Sequence, residues 1–457
     1  MAIIPGGCGR CTGGGRRMMK SELELDFLDE VCGQVSAQEA HAEIRRELGS
    51  HLEDLIAERE VLGESREQAI AWALAQMGEP RKLGRSLHQV HKPRIPWGLL
   101  AVMMLMSIIS LLVMSSIQFS PVELPYDLNI LENHSVNMVL GIVLMVGFYF
   151  IDYRKIIKIS WLLYGASLGI ILLTMLNSVT INGKAYYMHL MMLRVNLISF
   201  TPYLLLVAVA GILIQRRKSM TVPSWQNNVQ EIAMVTTPAL AYAYAAIVPE
   251  LATYLVAALI LYTFITRKYL IALASGVLIL GGTVMLSWMS SDYVRDNIIG
   301  AINPQLNPDS SGFIYNRLRE TISTAGWWGH GFGVLPENLP YVYTDTIAAY
   351  LIYSFGWGGG LILISIGVLF FSRLVKAIRA IRHSYGQALV LAMAVMLGLR
   401  LAYGLATMSG RMVLTSIPFP FLSYGSHIIF EYAALGLLMG IYRRKDIVRP
   451  DQLPISG

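Results

Sequence analysis

The sequence predicts an all-α polytopic membrane protein with about ten transmembrane helices, preceded by a small cytoplasmic helical domain. Hydrophobic residues make up 54% of the 457 residues and charged residues only 14%, and the mean hydropathy is +0.52. A soluble protein has about 25% charged residues. The charge is also uneven, since residues 1–95 contain 28 of the 66 Asp, Glu, Lys and Arg side chains. These observations exclude a secreted protein, a soluble globular enzyme and a disordered chain.

The first twenty residues differ in composition from the rest of the chain. Residues 1–20 are rich in glycine and arginine and lack the apolar stretch of a signal peptide. Because Met18 and Met19 directly precede an acidic segment with a helical pattern, we expect translation to start there. Residues 1–20 are then unstructured or a non-native start; a short basic tail on the membrane surface is the alternative.

Residues 21–92 are predicted to form a cytoplasmic prefix domain of three short amphipathic helices. Within 37–62, Ile44, Leu48 and Leu52 recur at four-residue spacing, which places them on one helix face. An acidic, solvated helical bundle is the simplest interpretation of this pattern.

The last predicted helix of this domain has signals at both of its ends. Ser65 and Gln68 have the spacing of a helix N-cap and its capping partner. Gly78 and Pro80 mark the end of the same helix.

The stretches 47–55 (ELGSHLEDL) and 77–80 (MGEP) resemble the prefix domain of some permeases and sporulation-associated membrane proteins. This resemblance implies a role in regulation or protein interaction rather than in catalysis. Residues 21–91 carry 15 acidic and 7 basic side chains, so the net charge of +6 comes from the membrane part of the chain. No nucleic-acid partner is therefore expected.

Ten segments are apolar and long enough to cross a membrane, which takes ~20 residues. They are 97–117, 134–152, 157–176, 197–215, 231–248, 250–266, 269–288, 346–372, 387–408 and 425–442. The pair within 231–266 is the least distinct, because Pro249 gives only a soft boundary. Together the spans form a membrane domain over 97–445, followed by a cytoplasmic tail over 446–457.

Basic loops predict how the spans are oriented. Lys92 and Arg94 precede the first span and every second loop after it carries a basic cluster, whereas the loop 118–133 has no basic residue. Loops rich in Lys and Arg stay in the cytoplasm, so both termini are expected there. The longest outward loop is 289–345, and a long loop on a tightly connected bundle is more often functional than connective.

This outward loop contains a glycine- and tryptophan-rich segment and ends at an acid. The segment 326–333 (GWWGHGFG) has four glycines, which allow tight turns, and two tryptophans, which suit a membrane interface or stacking on sugars. Asp345 stands at the start of the eighth span. Its position alone favours an N-cap or first-turn acid; the alternative is a carboxylate that accepts a proton from a sugar hydroxyl.

Four further patterns distinguish the membrane domain. They are Ile417–Gly425 (IPFPFLSYG), Val248–Thr253 (VPELAT), Asn182–Lys184 (NGK), and the loop pattern of Gly312, Trp328–Gly331, Pro336–Glu337 and Thr344–Asp345. Together they resemble the motifs of the SEDS family of ten-span cell-wall proteins, which includes RodA, FtsW and SpoVE. The resemblance covers residues 97–445.

The resemblance implies a glycosyltransferase that polymerises lipid II into glycan strands at the outer face of the bacterial cytoplasmic membrane, in division, elongation or sporulation. It makes Asp345 the catalytic residue, as general base on the 4-hydroxyl of the acceptor sugar. Undecaprenyl pyrophosphate then leaves the lipid-linked donor. The implied partners are lipid II, membrane lipids and a class B penicillin-binding transpeptidase. No definite cofactor and no metal site are implied, and a divalent cation stays open.

Candidate substrate-binding residues are the cations and motif residues of the outward segments, because the leaving pyrophosphate needs electrostatic stabilisation. They are Lys184, Arg194, Arg317, Arg319, Trp328, His330, Glu337, Ser423 and Tyr424, with Arg411 as a further outward cation.

Several positions depart from the family pattern. Ser426 replaces the second glycine after Ser-Tyr-Gly, Tyr186 and Tyr187 replace an Arg-Trp pair, and Thr346 replaces a phenylalanine. The segment 194–200 also lacks the proline and the acid of the family's Gln-Pro-Ser-Glu motif. A divergent member with these changes leaves two alternatives open: a flippase or transporter for a lipid-linked precursor, or an inactive scaffold that recruits cell-wall enzymes.

Within the predicted spans, the ionisable residues that need an explanation are Glu250, Arg400 and Glu431. An unpaired charge inside a membrane is costly, so Arg400 and Glu431 are expected to pair. A water-filled cavity lined by them is the functional alternative.

Overall fold

The computed structural model describes residues 21–447, apart from 91, 93, 122–128, 178, 182–183, 191–192, 220–224, 246 and 291. The predictions for residues 1–20 and for most of the tail 446–457 lie outside the described residues. The chain divides into two compact units. One unit runs up to Pro93 and includes Asp446–Val448, and the other contains Arg94–Lys445.

The first unit is a bundle of four helices around its own apolar core. The helices are α1 (Glu22–Gly33), α2 (Gln38–Val61), α3 (Arg66–Met77) and α4 (Pro80–Val90). Ile44 and Leu52 are buried in this core, as their spacing predicts, together with Phe27 on α1 and Ile70 on α3.

Pro80 explains why this unit has four helices where three were predicted. The capping box of Ser65 and Gln68 is present at the start of α3, and Gly78 follows the helix with a φ of +78°. Pro80 is the first residue of α4. The fixed φ of proline suits a first helical turn, where its missing N–H would have no partner anyway. The prediction of three helices is therefore wrong by one helix.

Helices occupy all ten predicted span positions of the second unit. In chain order the helices are α5 (Trp97–Gln118), α6 (Ile130–Phe150), α7 (Tyr153–Ile156) leading into α8 (Ser160–Asn177), α9 (Thr201–Ser219), α10 (Trp225–Tyr244), α11 (Val248–Thr266), α12 (Tyr269–Ser290), α13 (Asp292–Ile302) and α14 (Phe313–Thr324) within the loop 289–345, α15 (Ile347–Ala380), α16 (Ser384–Thr407) and α17 (His427–Arg443). Among the described residues, eight helical segments are long and apolar enough to cross a membrane. The helices α10 and α17 occupy the other two span positions.

Small residues bring α17 close to α6. A Cβ atom on Gly436 would lie 2.3 Å from the carbonyl oxygen of Met145, and one on Gly440 would lie 2.6 Å from that of Tyr149. Glycine allows helix backbones to approach in this way inside a membrane bundle. The last span is thereby fixed against the second one, and most residues of α9, α16 and α17 are buried within the bundle.

The loops segregate to the two ends of the bundle as the predicted alternation requires. At one end, Arg444 donates a hydrogen bond to the carbonyl oxygen of Phe150 at 3.0 Å. At the other end, the N–H of Gly333 donates to Ser116 Oγ at 2.9 Å. We call these the Arg444 end and the Asp345 end. Which end faces outward remains a prediction from the basic loops.

The loop after α8 adds a small sheet to the helical fold. It has three antiparallel strands, β1 (Val179–Ile181), β2 (Lys184–Leu190) and β3 (Leu193–Val195), in the order β1-β2-β3. The register pairs Ile181 with Lys184 and His189 with Arg194. Two adjacent tyrosines in β2 favour an extended backbone. The predicted helical membrane class is confirmed, and this sheet is an addition that the sequence analysis missed.

Candidate active site

Asp345 lies just before α15 with a single polar partner. Its side chain is half-buried, and Oδ2 accepts a hydrogen bond from Ser416 Oγ at 3.1 Å. Among the described residues this is the only hydrogen bond to the carboxylate. Burial raises the pKa of Asp345, and the hydrogen bond from Ser416 lowers it by a smaller amount. A carboxylate with a raised pKa, whose Oδ1 accepts no hydrogen bond from the described residues, is suited to accept a proton.

Thr346, rather than Asp345, occupies the N-cap position of α15. Its Oγ1 donates to the carbonyl oxygen of Pro340 at 2.8 Å, and its N–H donates to that of Tyr341 at 3.2 Å. Within the described structure, no backbone N–H of α15 donates to the Asp345 carboxylate. The interpretation of Asp345 as a helix cap is therefore wrong, because its side chain points to the loop that carries Ser416 instead.

The segment 419–424, which we call the signature turn, holds the backbone just before the candidate base. Ser423 Oγ donates to the carbonyl oxygen of Thr344 at 3.2 Å. The N–H of Tyr424 donates to the carbonyl oxygen of Tyr343 at 2.8 Å. Ser423 is buried, and its hydroxyl also accepts the N–H of Phe419 at 2.9 Å. The hydroxyl of Ser423, predicted to bind substrate, therefore positions the site's backbone.

Two tyrosines that the sequence did not predict as site residues hold the backbone just before Ser416. The N–H of Leu414 donates to Tyr315 Oη at 3.2 Å, and the N–H of Thr415 donates to Tyr403 Oη at 2.9 Å. A buried tyrosine usually finds a partner for its hydroxyl. From the sequence, this rule predicts that each tyrosine hydroxyl forms a hydrogen bond, but it does not identify the loop residue that is the partner.

The two predicted arginines of α14 have other partners. Arg319 donates to the carbonyl oxygens of Gly410 at 3.0 Å and of Ala301 at 2.9 Å, which connects α13, α14 and the loop after α16. Arg317 forms an ion pair with Glu320 at 2.8 Å. Arg319 thus braces the loops, and among the described residues neither arginine forms a hydrogen bond or ion pair with the candidate base.

The glycine-rich segment 326–331 docks against a kink in α15. Gly356 interrupts the helix with a φ of +73° and a ψ of 178°. The N–H of His330 donates to the carbonyl oxygen of Tyr353 at 3.0 Å, and the two rings stack with centroids 4.0 Å apart. In the reverse direction, the N–H of Trp357 donates to the first carbonyl oxygen of the segment at 3.0 Å. His330 is therefore a contact between the loop and α15.

The other candidates are exposed or only partly described. Trp328 is 91% exposed, and Glu337 and Arg411 are exposed as well. Lys184 and Arg194 lie on β2 and β3, and their side chains are outside the described part of the structure, as are Asn182 and Gly183 altogether.

The charged residues inside the bundle are paired or hydrogen-bonded. Arg400 Nη1 lies 3.6 Å from Glu431 Oε1, as the sequence predicts, and both side chains are almost fully buried. Ser199 Oγ donates to Glu250 Oε1 at 3.0 Å. The free energy of burying these charges is offset in part by these contacts.

The family described as "Cell cycle protein", the FtsW/RodA/SpoVE family, matches residues 96–447. The protein belongs to this family. The match includes all ten helices at the span positions, the signature turn and Asp345. It confirms the resemblance to the SEDS proteins.

Individual relatives agree with this assignment. The chain is 33% identical over 159 residues to a "Probable peptidoglycan glycosyltransferase FtsW" of Thioalkalivibrio sp. (strain K90mix), which covers 33% of this chain and 40% of that relative. It is 23% identical over 356 residues to "Peptidoglycan glycosyltransferase MrdB" of Escherichia coli (strain K12), which covers 76% of this chain and 94% of that relative. The chain thus spans less than half of the first relative's length.

A solved structure shows the same fold. A chain of the structure described as "Structural coordination of polymerization and crosslinking by a peptidoglycan synthase complex" matches with a TM-score of 0.62 and 20% identity. The match covers 76% of this chain and 98% of the other. The SEDS-family protein is therefore a multi-pass bacterial membrane protein with this helical architecture.

The described part of this SEDS-family protein offers few side-chain ligands for a metal ion. Within the described residues, no group of three or more His, Cys, Asp or Glu side chains is close enough to hold one. Mg²⁺ is often bound by one or two carboxylates together with phosphates of the substrate. A divalent cation here would need oxygen ligands from the substrate in addition to Asp345.

Proposed function

We propose that this SEDS-family protein polymerises lipid II into glycan strands at the outer face of the bacterial cytoplasmic membrane, with Asp345 as the general base. The observation that carries the proposal is the half-buried Asp345 carboxylate, which lies at the end of the longest loop and has Ser416 as its one hydrogen-bond partner in the described structure. The names of the relatives and the family motifs support the same activity.

In the proposed reaction, Asp345 Oδ1 takes the proton of the acceptor sugar's 4-hydroxyl. The hydroxyl oxygen forms a bond to the anomeric carbon of the lipid-linked donor. The bond between that carbon and the pyrophosphate oxygen breaks, and undecaprenyl pyrophosphate leaves with the electron pair. General-base catalysis of this kind is typically worth ~10²–10⁴-fold in rate.

Negative charge that develops on the leaving pyrophosphate needs cations at the Asp345 end. Arg411 is an exposed cation on the loop that also carries Ser416. Lys184 and Arg194 lie on the small sheet that follows α8. We assign these three residues to the pyrophosphate, because Arg319 is engaged with two backbone carbonyl oxygens.

The orientation and the partner belong to the same proposal. Since loops rich in Lys and Arg stay in the cytoplasm, the Arg444 end faces the cytoplasm and the Asp345 end faces outward, where lipid II is polymerised. The structurally similar synthase complex combines polymerisation with crosslinking by its own description. We therefore propose a class B penicillin-binding transpeptidase as the partner of this chain.

Polymerisation of labelled lipid II by the purified protein, with and without a class B penicillin-binding transpeptidase, tests the function. Asp345→Asn keeps the size of the side chain and can still accept the hydrogen bond from Ser416, so its thermal stability should stay close to that of the parent while polymerisation falls ~10²-fold or more. Asp345→Ala should be equally inactive and lose about 0.5–1.5 kcal/mol with the hydrogen bond. Asp309→Asn, an exposed acid in the same loop, is the matched control and should polymerise normally.

Three results would contradict the proposal, and two of them would identify an alternative function. An Asp345→Asn variant that polymerises at the parental rate would remove this carboxylate from the mechanism. A parent protein that forms no glycan strands with any partner, yet recruits cell-wall enzymes, would be a scaffold. Movement of lipid II across vesicle membranes without polymerisation would identify a flippase.

A further inference from the structure

The signature turn is held from inside the bundle by a side chain of α17. Glu431 Oε2 accepts a hydrogen bond from the backbone N–H of Phe421 at 2.8 Å. Phe421 has a φ of +59°, a left-handed conformation that costs free energy in a residue with a side chain. Such a conformation persists only where its surroundings hold it, and Glu431 supplies one of the bonds that do so.

A second side chain binds the same turn from α5. Ser110 Oγ donates to the carbonyl oxygen of Leu422 at 3.2 Å and lies 2.7 Å from Nε2 of His134. Both Ser110 and His134 are fully buried. The turn is thus bound through an N–H by one helix and through a C=O by another.

Glu431 is in turn held by a cation. Arg400 Nη1 lies 3.6 Å from Glu431 Oε1, which is the separation of an ion pair rather than of a hydrogen bond. The Arg400 guanidinium also lies over the ring of Tyr203, 5.3 Å from its centroid. Because the ion pair uses Oε1, Glu431 Oε2 is available to accept the hydrogen bond from the N–H of Phe421.

We propose that Glu431, paired with Arg400, is a positioning residue for glycosyl transfer. By accepting the N–H of Phe421 it fixes the signature turn, whose bonds to the carbonyl oxygens of residues 343 and 344 fix the backbone that presents Asp345. This inference rests on the proposed role of Asp345 and adds a residue that acts on it through the turn. The interaction that carries this role is the hydrogen bond from the Phe421 N–H to Glu431, which is buried in the bundle.

Two double variants separate this bond from the ion pair. Arg400→Met with Glu431→Gln removes both charges but keeps an oxygen that accepts the N–H of Phe421. Arg400→Met with Glu431→Leu removes the charges and the acceptor. Since apolar replacement of a whole buried ion pair is often neutral or stabilising, both variants are designed to fold. Their difference reports the acceptor alone.

The expected result is a split between kcat and KM. The variant with Glu431→Gln should polymerise lipid II with a kcat close to that of the parent. The variant with Glu431→Leu should have a kcat lower by ~10-fold or more at an unchanged KM, because a small displacement of a catalytic group lowers the rate without removing substrate contacts. Equal kcat values for two folded double variants would overturn the proposal.

A milder pair of variants on α5 gives a second test of the same positioning. Ser110→Ala removes the bond to the signature turn together with the contact to His134 Nε2. Ser107→Ala, one turn earlier on the same helix, removes bonds to Met103 and Tyr432 only. Ser110→Ala should lower kcat by a few-fold and Ser107→Ala should not. This pair decides the question if a double variant at Arg400 and Glu431 fails to fold; equal rates for the two serine variants would then overturn it.

Two further variants make each failure identifiable. Asp345→Asn is measured in the same assay: if it polymerises normally, the proposed base is wrong and the positioning inference falls with it. If Asp345→Asn is inactive while the variant with Glu431→Leu keeps its kcat, only the positioning inference is wrong. The ion pair of the half-buried Lys268 with the buried Glu231, 2.9 Å apart at the Arg444 end, is the control. Lys268→Met with Glu231→Leu removes it and should leave kcat unchanged.

Discussion

At the scale of single residues, the Asp345 carboxylate is under two opposing influences. Burial favours its neutral form and raises its pKa, while the hydrogen bond from Ser416 Oγ favours the charged form. A general base works only when it is deprotonated. Polymerisation should therefore fall as the pH is lowered through the pKa of Asp345, and this fall should begin at a higher pH than for an ordinary aspartate.

The Ser416→Ala variant should move this acid limb to a still higher pH. Removing the hydroxyl removes the influence that lowers the pKa of Asp345, while the burial that raises it remains. The measurement is the pH dependence of kcat for the parent and the variant. Ser323→Ala, which removes an exposed hydroxyl bonded within α14, should leave the profile in place. An unchanged or lowered acid limb in Ser416→Ala would show that Asp345 is not the titrating base.

The sequence pointed to Asp345 but not to the residues that position it. Asp345 was found from its place before an apolar run and from the loop motif. Ser416 is 71 positions away in the chain, and no periodicity relates two irregular loops. The same holds for Glu431: the cost of an unpaired charge in a span predicted its ion pair with Arg400, but its bond to Phe421 depends on a turn with positive φ.

At the scale of elements, the glycine-rich segment stabilises the kink in α15. Gly329 has a φ of +74°, and a Cβ atom there would lie 2.3 Å from the carbonyl oxygen of Ser354. A Cβ atom on Gly356 would likewise lie 2.2 Å from the carbonyl oxygen of Trp327. Two backbones meet here with no room for side chains between them. The glycines that predicted tight turns thus also serve a close contact, which only the folded structure reveals.

Gly329→Ala should therefore destabilise the protein more than Gly326→Ala. Both glycines have positive φ, which costs ~1–2 kcal/mol for alanine, but a Cβ atom on Gly326 would meet nothing within 4 Å. The overpacking at Gly329 should add about 1–3 kcal/mol. Thermal unfolding of the two variants in detergent measures the difference. Equal stabilities would mean that the segment does not dock on α15 as described.

Element positions followed from apolar runs, whereas several element ends did not. A run of apolar residues places a span because the membrane requires it, and all ten predicted positions carry helices. A proline can mark either the end of one helix or the start of the next, and Pro80 follows α3 and begins α4. Span eight was predicted to end at residue 372, yet α15 continues to Ala380, because a basic helix extends past the apolar run without a breaking residue.

At the scale of the whole molecule, the alternation of basic loops gives a direct test of orientation. Reporters fused after Lys92 and after Lys445 should both give a cytoplasmic signal, and one inserted within 300–330 should give an outside signal. The physical reason is that Lys- and Arg-rich loops are retained in the cytoplasm. A cytoplasmic signal from the 300–330 insertion would place Asp345 on the wrong side for a donor presented outside, and would contradict the proposed function.

The prefix unit should be separable from polymerisation. It has its own buried core, which includes Ile44 and Leu52, and the proposed site uses none of its residues. Deletion of 21–92 should therefore leave the rate of glycan-strand formation from lipid II close to that of the parent, while it alters the cellular location or the recruitment of partners.

A pair of adjacent substitutions tests whether folding of the prefix is what recruitment needs. Leu52 is 1% exposed and His51 is exposed. Leu52→Asp buries an unpaired carboxylate, at a cost of about 3 kcal/mol or more, and should unfold the unit and reproduce the effect of the deletion on location. His51→Asp changes charge at the surface and should behave like the parent. A stable deletion variant that forms no glycan strands would instead make the prefix part of the enzyme, since the membrane unit would then depend on it for activity.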